Sequence, residues 1–152
     1  AEIQWPDRTP LVEQIWYAAK RQGELAARSM LGDSICYRPP VFYNSAKFFS
    51  LEYTTVGEVN TAPIGATHSF ARHPSKEVSV RIVEQDDAVI GFNMIGSRWN
   101  HTFFERWIAE RRSRDYCLAH LHEAQFDVEF GRLQLGFLQK EGSWSKQAHS
   151  NA

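Results

Sequence analysis

The sequence predicts an α+β domain with a leading helix, an antiparallel sheet of about four to five strands, and two helices after the sheet. Apolar residues recur at helical spacing near the start of the chain. Between residues 49 and 95, apolar and polar residues alternate in short segments separated by turn residues, which is typical of strands. After Gly96 the helical period returns. A chain of 152 residues is long enough to bury one core of this kind.

The first helix is predicted over residues 10–31. Thr9 can cap a free backbone N–H, and Pro10 suits the first helical position because it has no N–H to leave unsatisfied. Gly32 ends the helix, since glycine adopts the left-handed conformation easily. The small residue Gly23 lets a neighbour approach closely. The predicted apolar face consists of Leu11, Ile15, Ala18, Ala19, Leu25, Ala26 and Met30.

The sheet is predicted to begin after Pro39 and Pro40, which favour an extended backbone. One strand is expected from Phe49, because residues 49–55 alternate in character. A loop follows, and then come three more strands at residues 69–72, 78–84 and 88–95, the last two joined as a hairpin across residues 85–87. The last strand is apolar on both faces, so we place it centrally in the sheet.

Two helices are predicted behind the sheet. Asn100 can cap the first, whose apolar face is formed by Phe103, Phe104, Trp107 and Ile108. The second carries Tyr116, Cys117, Leu118 and Leu121. Further core residues are expected at Phe126, Phe130, Leu133 and Phe137. Residues 139–152 are rich in polar and small residues and are predicted to be a disordered tail.

Composition excludes several classes of partner. The net charge is −1, from 17 basic and 18 acidic residues, so no global field attracts nucleic acid or an anionic membrane. The sequence shows no apolar run long enough to cross a membrane and no signal peptide at its start, which predicts a cytoplasmic protein. Cys36 and Cys117 lie far apart and lack metal-binding spacing, so both are expected to be reduced thiols.

No motif of a complete catalytic centre is present, and we assign no catalytic residue. The glycine-rich fingerprint of dinucleotide-binding domains is absent, so the chain is not expected to hold a whole FAD or NAD by itself. His120 and His122 are two apart on a predicted helix and do not share a face. His68 and His73 diverge around a strand, so no metal site is predicted either.

The start of the first helix is the strongest candidate site. A helix N-terminus offers unpaired N–H groups and partial positive charge, which suit an anionic or electron-accepting ring edge. Flavin chemistry has this need, because hydride addition places negative charge on the pyrimidine side of the ring system. On these grounds alone, an ordinary amphipathic helix packed on a sheet accounts for the same residues.

The helix and the segment after it together resemble a known junction. The order of parts is Trp16, Ala19, Gln22, Gly23, Ala26, Ala27 and Met30 to Gly32, and then Pro40 to Tyr43. It is similar to the junction between the flavin-binding domain and the C-terminal domain of pyridine-nucleotide-dependent FAD oxidoreductases. This group includes rubredoxin and ferredoxin reductases and apoptosis-inducing factor. Weaker similarity continues at residues 44–49, 89–91 and 126–130.

The resemblance implies the C-terminal portion of an NAD(P)H-dependent FAD oxidoreductase. Residues 1–32 would belong to the flavin-binding domain, residues 33–138 would form the C-terminal interface domain, and residues 139–152 would be the tail. The family's Gly-Asp pair before the helix is absent, so we expect the chain to begin within the flavin domain. The flavin and NAD domains of the same parent chain are the implied partners. The chain alone is expected to be inactive, to lose its FAD and to tend towards a homo-oligomer.

The same resemblance implies a set of FAD-binding residues. Residues of the helix start would contact the pyrimidine end of the flavin, and residues after Pro40 would approach the ring from the other domain. Tyr43 stands where many relatives have Trp, which leaves its stacking geometry open. The implied residues are Gln14, Ile15 and Trp16, then Phe42, Tyr43 and Asn44, with Lys47 as an additional candidate.

Two alternatives remain open at the level of sequence. The chain could be a free-standing α+β interaction or dimerisation module without a redox role. The abundance of aromatic residues, with ten Phe, five Trp and five Tyr, also allows a small-ligand pocket on the concave face of the sheet. The sequence leaves the electron acceptor and the choice between NADH and NADPH undetermined.

Overall fold

A computed structural model describes residues 2–3, 11–126, 133–139 and 142–148, with side chains from residue 13 onward. The chain divides into two compact units, Ala1–Pro40 and Val41–Ala152. Each unit has its own secondary structure.

The first unit contains a short strand pair and a helix. Strand β1 (Glu2–Ile3) pairs antiparallel with β2 (Leu11–Val12), and helix α1 spans Trp16–Met30. The helix therefore begins six residues later than predicted. Thr9 and Pro10 lie outside the described residues, but pairing with β1 keeps residues 11 and 12 extended, and Ile15 is still extended at φ −118° and ψ 145°.

The end of α1 is where the sequence predicted it. Gly32 has a φ of 98°, and its N–H donates to the carbonyl of Ser29 at 3.0 Å. The N–H of Asp33 donates to the carbonyl of Arg28 at 3.1 Å. These two bonds form a Schellman motif, in which glycine provides the left-handed residue. On the predicted apolar face Ala18 is buried, whereas Met30 is exposed.

The second unit is built on an antiparallel sheet of six described strands. The strands are β3 (Tyr43–Phe48), β4 (Leu51–Gly57), β5 (Thr67–Arg72), β6 (Ser79–Gln85), β7 (Ala88–Ile95) and β8 (Trp144–Ala148). Their order across the sheet is β3-β4-β7-β6-β5-β8. The α+β class is confirmed, with one strand more than the upper predicted number.

Two of the local predictions in the sheet differ in outcome. Strand β7 lies between β4 and β6, which confirms its central position, and Asp86 and Asp87 form the predicted hairpin turn with φ values of 50° and 59°. The strand predicted from Phe49 is present but begins two residues later, at Leu51. Phe49 and Ser50 are the turn between β3 and β4, and Phe49 adopts a left-handed φ of 54°.

The helices cover one face of the sheet. Helix α2 spans His101–Ala109, and the Asn100 side chain accepts a hydrogen bond from the Thr102 N–H at 3.1 Å, as its capping role predicts. Helix α3 spans Arg114–His120, and 3-10 turns follow at Leu121–Ala124 and Leu135–Leu138. The largest fully buried side chains are Trp107, Phe104 and Leu121 from the helical layer and Phe92, Ile82 and Met94 from the sheet.

The predictions of core residues near the C-terminus are correct only in part. Leu133 and Phe137 are buried as predicted, and Phe130 lies outside the described residues. Phe126 was predicted to be buried but is 50% exposed. It follows a bridge between Trp99 and Gln125 at the margin of the helical layer, so its ring lies beyond the core.

The C-terminal tail contains ordered structure. Residues 144–148 were predicted to be disordered. They form β8, which pairs antiparallel with β5 so that Ala148 lies opposite Thr67 and Trp144 lies opposite Ala71. The indole N–H of Trp144 donates to the Leu138 carbonyl at 2.9 Å, and the ring lies 4.4 Å from the Arg114 guanidinium. A free sheet edge can recruit such a polar segment through backbone hydrogen bonds alone.

The two cysteines differ in their expected reactivity. Cys36 is exposed, whereas Cys117 is buried, and burial raises the pKa of Cys117 to about 12. Because the thiolate is the nucleophile, a disulfide reagent at about pH 8 should label Cys36 in the folded protein and Cys117 only after denaturation. The absorbance of the thiolate that the reagent releases measures how many cysteines are labelled before and after denaturation. Rapid labelling of both thiols in the folded protein would contradict the buried position of Cys117.

Candidate functional site

The first predicted surface is the start of α1. Gln14 is exposed, Ile15 occupies the N-cap position, and Trp16 is the first helical residue with 69% of its surface exposed. Ile15 provides no side-chain cap, and the first turn contains no acidic residue. The first N–H groups of a helix have no partner within it, so this edge presents donors and partial positive charge.

Glu13 connects this edge to two other parts of the unit. One oxygen of its carboxylate accepts a hydrogen bond from Gln22 Nε2 at 2.8 Å and another from the Tyr37 hydroxyl at 2.6 Å. Burial and, to a smaller extent, the bond to Glu13 raise the pKa of Tyr37. The carboxylate thereby holds the segment before the helix against the helix and against the chain that follows it. Gln22 is one of the residues on which the family resemblance rests, and in this structure its side chain positions the Glu13 carboxylate.

The second predicted surface is the start of β3. Phe42 is 45% exposed, and its carbonyl accepts a hydrogen bond from the Gly57 N–H at 2.7 Å. The Tyr43 ring stacks on His101, with 3.9 Å between ring centroids and 12° between planes. His101, the first residue of α2, therefore supports the Tyr43 ring directly. One turn further along α2, burial raises the pKa of the Glu105 carboxyl group.

The remaining predicted residues of β3 lie on different sides of the sheet. Asn44 Nδ2 donates to the Tyr53 hydroxyl at 3.2 Å. Lys47 Nζ lies 3.6 Å from the Glu52 carboxylate. Successive residues of a strand point to opposite faces, so Tyr43 and Lys47 share the face that α2 covers, whereas Asn44 is on the other. The structure therefore does not bring Phe42, Tyr43, Asn44 and Lys47 onto one surface.

A cleft of about 400 Å³ lies beside Lys47 in the second unit. Glu52 is one of its lining residues, and its carboxylate pairs with Lys47 at 3.6 Å and with Arg98 Nε at 2.9 Å. No motif in the sequence indicates this cleft, since its walls come from β3, β4, the segment before α2, the first residue of α2 and Phe126. Its lining residues are Ser45, Ala46, Lys47, Glu52, Tyr53, Thr54, Arg98, Trp99, Asn100, His101 and Phe126.

The described parts of the chain hold no group of three or more His, Cys, Asp or Glu residues arranged to bind a metal ion. They also hold no helix with the length and apolar character that a membrane crossing requires.

The fold of the chain is similar to part of a solved enzyme structure. An NAD-dependent persulfide reductase from A. fulgidus superposes with a TM-score of 0.58 over 73% of this chain, at 12% sequence identity. The matched part is 24% of the reductase chain, so this chain spans about a quarter of its length. At this identity the similarity shows a common fold. The sequence matches no family model and no curated protein.

Proposed function

We propose that this chain is the C-terminal interface domain of an NAD(P)H-dependent FAD oxidoreductase and lines the flavin site of the intact enzyme. The observation that carries the proposal is its fold similarity to about a quarter of a chain described as an NAD-dependent reductase. The helix and aromatic segment that resemble the flavin-domain junction support the same assignment. Residues 1–32 would then belong to the flavin-binding domain and residues 33–138 to the interface domain.

The start of α1 has the chemistry that a flavin edge requires. FAD would supply the hydride-accepting ring system, with NAD(P)H as the donor. The uncapped first turn of α1 and the absence of acidic residues there favour negative charge nearby. Trp16 adds an exposed aromatic surface, and we assign Gln14 and Ile15 to backbone contacts with the pyrimidine end.

The second unit would contribute aromatic contacts. Phe42 presents an exposed ring, and Tyr43 is held by the parallel ring of His101. His101 is therefore a positioning residue for Tyr43. Asn44 lies on the opposite side of the strand and is bonded to Tyr53, so its side chain would contribute by fixing the strand. Lys47 faces the cleft and is the weakest of the proposed flavin contacts.

The intact parent enzyme provides the test. We expect the parent, mixed with FAD, to form a yellow complex that NAD(P)H reduces. Trp16→Ala and Tyr43→Ala should each change flavin fluorescence and the flavin midpoint potential, because each removes an aromatic surface from the ring. His101→Ala should shift the same signals in the direction of Tyr43→Ala, since it removes the ring that stacks on Tyr43.

Phe49→Ala is the matched control. Phe49 is an aromatic residue of the same hairpin and is 99% exposed, so its removal should leave the flavin signals unchanged. A colourless parent that neither binds FAD nor consumes NAD(P)H would contradict the proposal. An oligomer in that case would favour the free-standing interaction or dimerisation module.

A further inference from the structure

The hairpin of β3 and β4 ends in an exposed apolar tip, formed by Phe48, Phe49, Ser50 and Leu51. Phe49 is 99% exposed, Phe48 is 61% exposed and Leu51 is 39% exposed. Phe48 and Leu51 lie opposite each other in the strand register, so their side chains share one face of the sheet. The remaining residue, Ser50, carries only a small hydroxyl group. The hairpin tip is therefore one continuous apolar end of the hairpin.

Folding of the hairpin does not explain the phenylalanine at position 49. Phe49 and Ser50 form a two-residue turn, and Phe49 has a left-handed φ of 54°. Turns of this kind favour glycine at the position that takes a positive φ. The Phe49 ring lies almost entirely in solvent, so it adds nothing to the core. A large apolar side chain at such a position indicates a contact with something outside the domain.

The charged residues next to the hairpin tip do not oppose burial of the tip. No residue of the tip is charged, and the nearest carboxylate is that of Glu52. Successive residues of a strand point to opposite faces, so Glu52 points away from the face that Leu51 and Phe48 share. Its carboxylate is also paired with Arg98 Nε at 2.9 Å. The tip can therefore enter an apolar phase without desolvating an unpaired carboxylate.

The size of the hairpin tip favours a lipid surface over a second copy of the chain. A fully covered aromatic side chain buries roughly 150–250 Å², so the exposed parts of the tip amount to on the order of 400 Å². A stable protein interface buries about 800 Å² on each partner. Insertion into a bilayer needs no matching surface, and its strength increases with the apolar area that is buried.

We propose that the hairpin tip inserts into the interfacial region of a phospholipid bilayer and attaches the second unit to a membrane surface. Phe49 would enter most deeply, with Phe48 and Leu51 beside it. Tyr43 of the proposed flavin surface lies at the other end of β3, about 17 Å from Phe48 along the strand. The membrane contact therefore does not depend on the flavin proposal.

Sedimentation of the full 152-residue chain with phosphatidylcholine vesicles tests the proposal. The chain has a net charge of −1, so a zwitterionic lipid is the appropriate probe. The chain should pellet with the vesicles, and high salt should not release it, because the contact is apolar. Phe48→Ser should weaken the vesicle partition coefficient by about five- to tenfold, since it removes a ring from the tip.

Two further variants separate loss of binding from loss of folding. Phe49→Gly should weaken vesicle binding by about five- to tenfold while maintaining or raising the free energy of unfolding, because glycine suits the positive φ. Ser50→Asp places a charge in the tip and should also weaken binding, although aspartate is well tolerated in turns. Urea unfolding measures the stability of both variants.

Ile64→Ser is the matched control. Ile64 is 67% exposed and lies in the loop after β4, at the opposite end of that strand from the hairpin tip. Its replacement should leave vesicle binding unchanged. The absence of vesicle binding, or equal losses for Phe49→Gly and Ile64→Ser, would overturn the proposal. An oligomer that dissociates in Phe49→Gly without vesicle binding would also overturn it, because a second copy would then cover the tip.

Discussion

Trp107→Ala is expected to lower the free energy of unfolding of the second unit by about 3–5 kcal/mol. Trp107 is completely buried, and its ring centroid lies 5.5 Å from that of Phe104 and 6.1 Å from those of Phe92 and Phe103. Truncation would leave a cavity between α2 and the sheet. A domain has only about 5–15 kcal/mol of stability in total, so the variant would lie near the limit of folding.

Trp107→Phe is the matched control for this prediction. The indole N–H of Trp107 is buried and has no hydrogen-bond partner among the described residues, so its removal breaks no bond. Phenylalanine keeps most of the ring volume, and the loss should be less than half of that for alanine. Urea unfolding followed by circular dichroism measures both values. Equal losses would mean that ring packing does not anchor α2.

The second unit was the more predictable part of the fold because its signals are local. Asn100 and the helical recurrence of Phe103, Phe104 and Trp107 define α2 within ten residues of chain. The Asp86–Asp87 turn defines the β6–β7 hairpin in the same way, since both residues tolerate a positive φ. Such elements depend little on what the rest of the chain does.

The errors occurred where distant residues decide the conformation. The helix-start signal at residues 9 and 10 is overridden by the pairing of β1 with β2, which keeps residues 11 and 12 extended. Strand β8 is polar and lacks alternation, and it forms because β5 offers an open edge. Phe49 resembles a strand residue but occupies a turn.

The candidate site follows the same division. Residues 14–16 at the start of α1 form one continuous stretch of sequence, and residues 42–44 form another. A sequence motif can therefore identify each stretch. The stacking of His101 on Tyr43 and the pairing of Arg98 with Glu52 join residues far apart in the chain. Only the sheet register and the position of α2 bring them together. No pattern in the sequence indicates the contact of His101 with Tyr43.

Gly57→Ala is expected to lower the free energy of unfolding by about 2–4 kcal/mol. Gly57 has a φ of 73°, and a Cβ at this position would collide with the carbonyl oxygen of Ile90 and lie 2.7 Å from Ile108 Cδ1. The first obstacle is backbone of the central strand β7, which cannot move aside as a side chain can. Both backbone strain and steric overlap therefore contribute to the loss.

Gly65→Ala separates these two contributions, because Gly65 has a similar φ of 88° but open space around its Cβ position. Its replacement should cost about 1–2 kcal/mol from backbone strain alone. The difference between the two variants, measured by urea unfolding, is then the cost of the close approach to β7. Equal losses would remove the steric argument. The Gly57 N–H also holds the Phe42 carbonyl, so in the parent enzyme Gly57→Ala should disturb the flavin signals whereas Gly65→Ala should not.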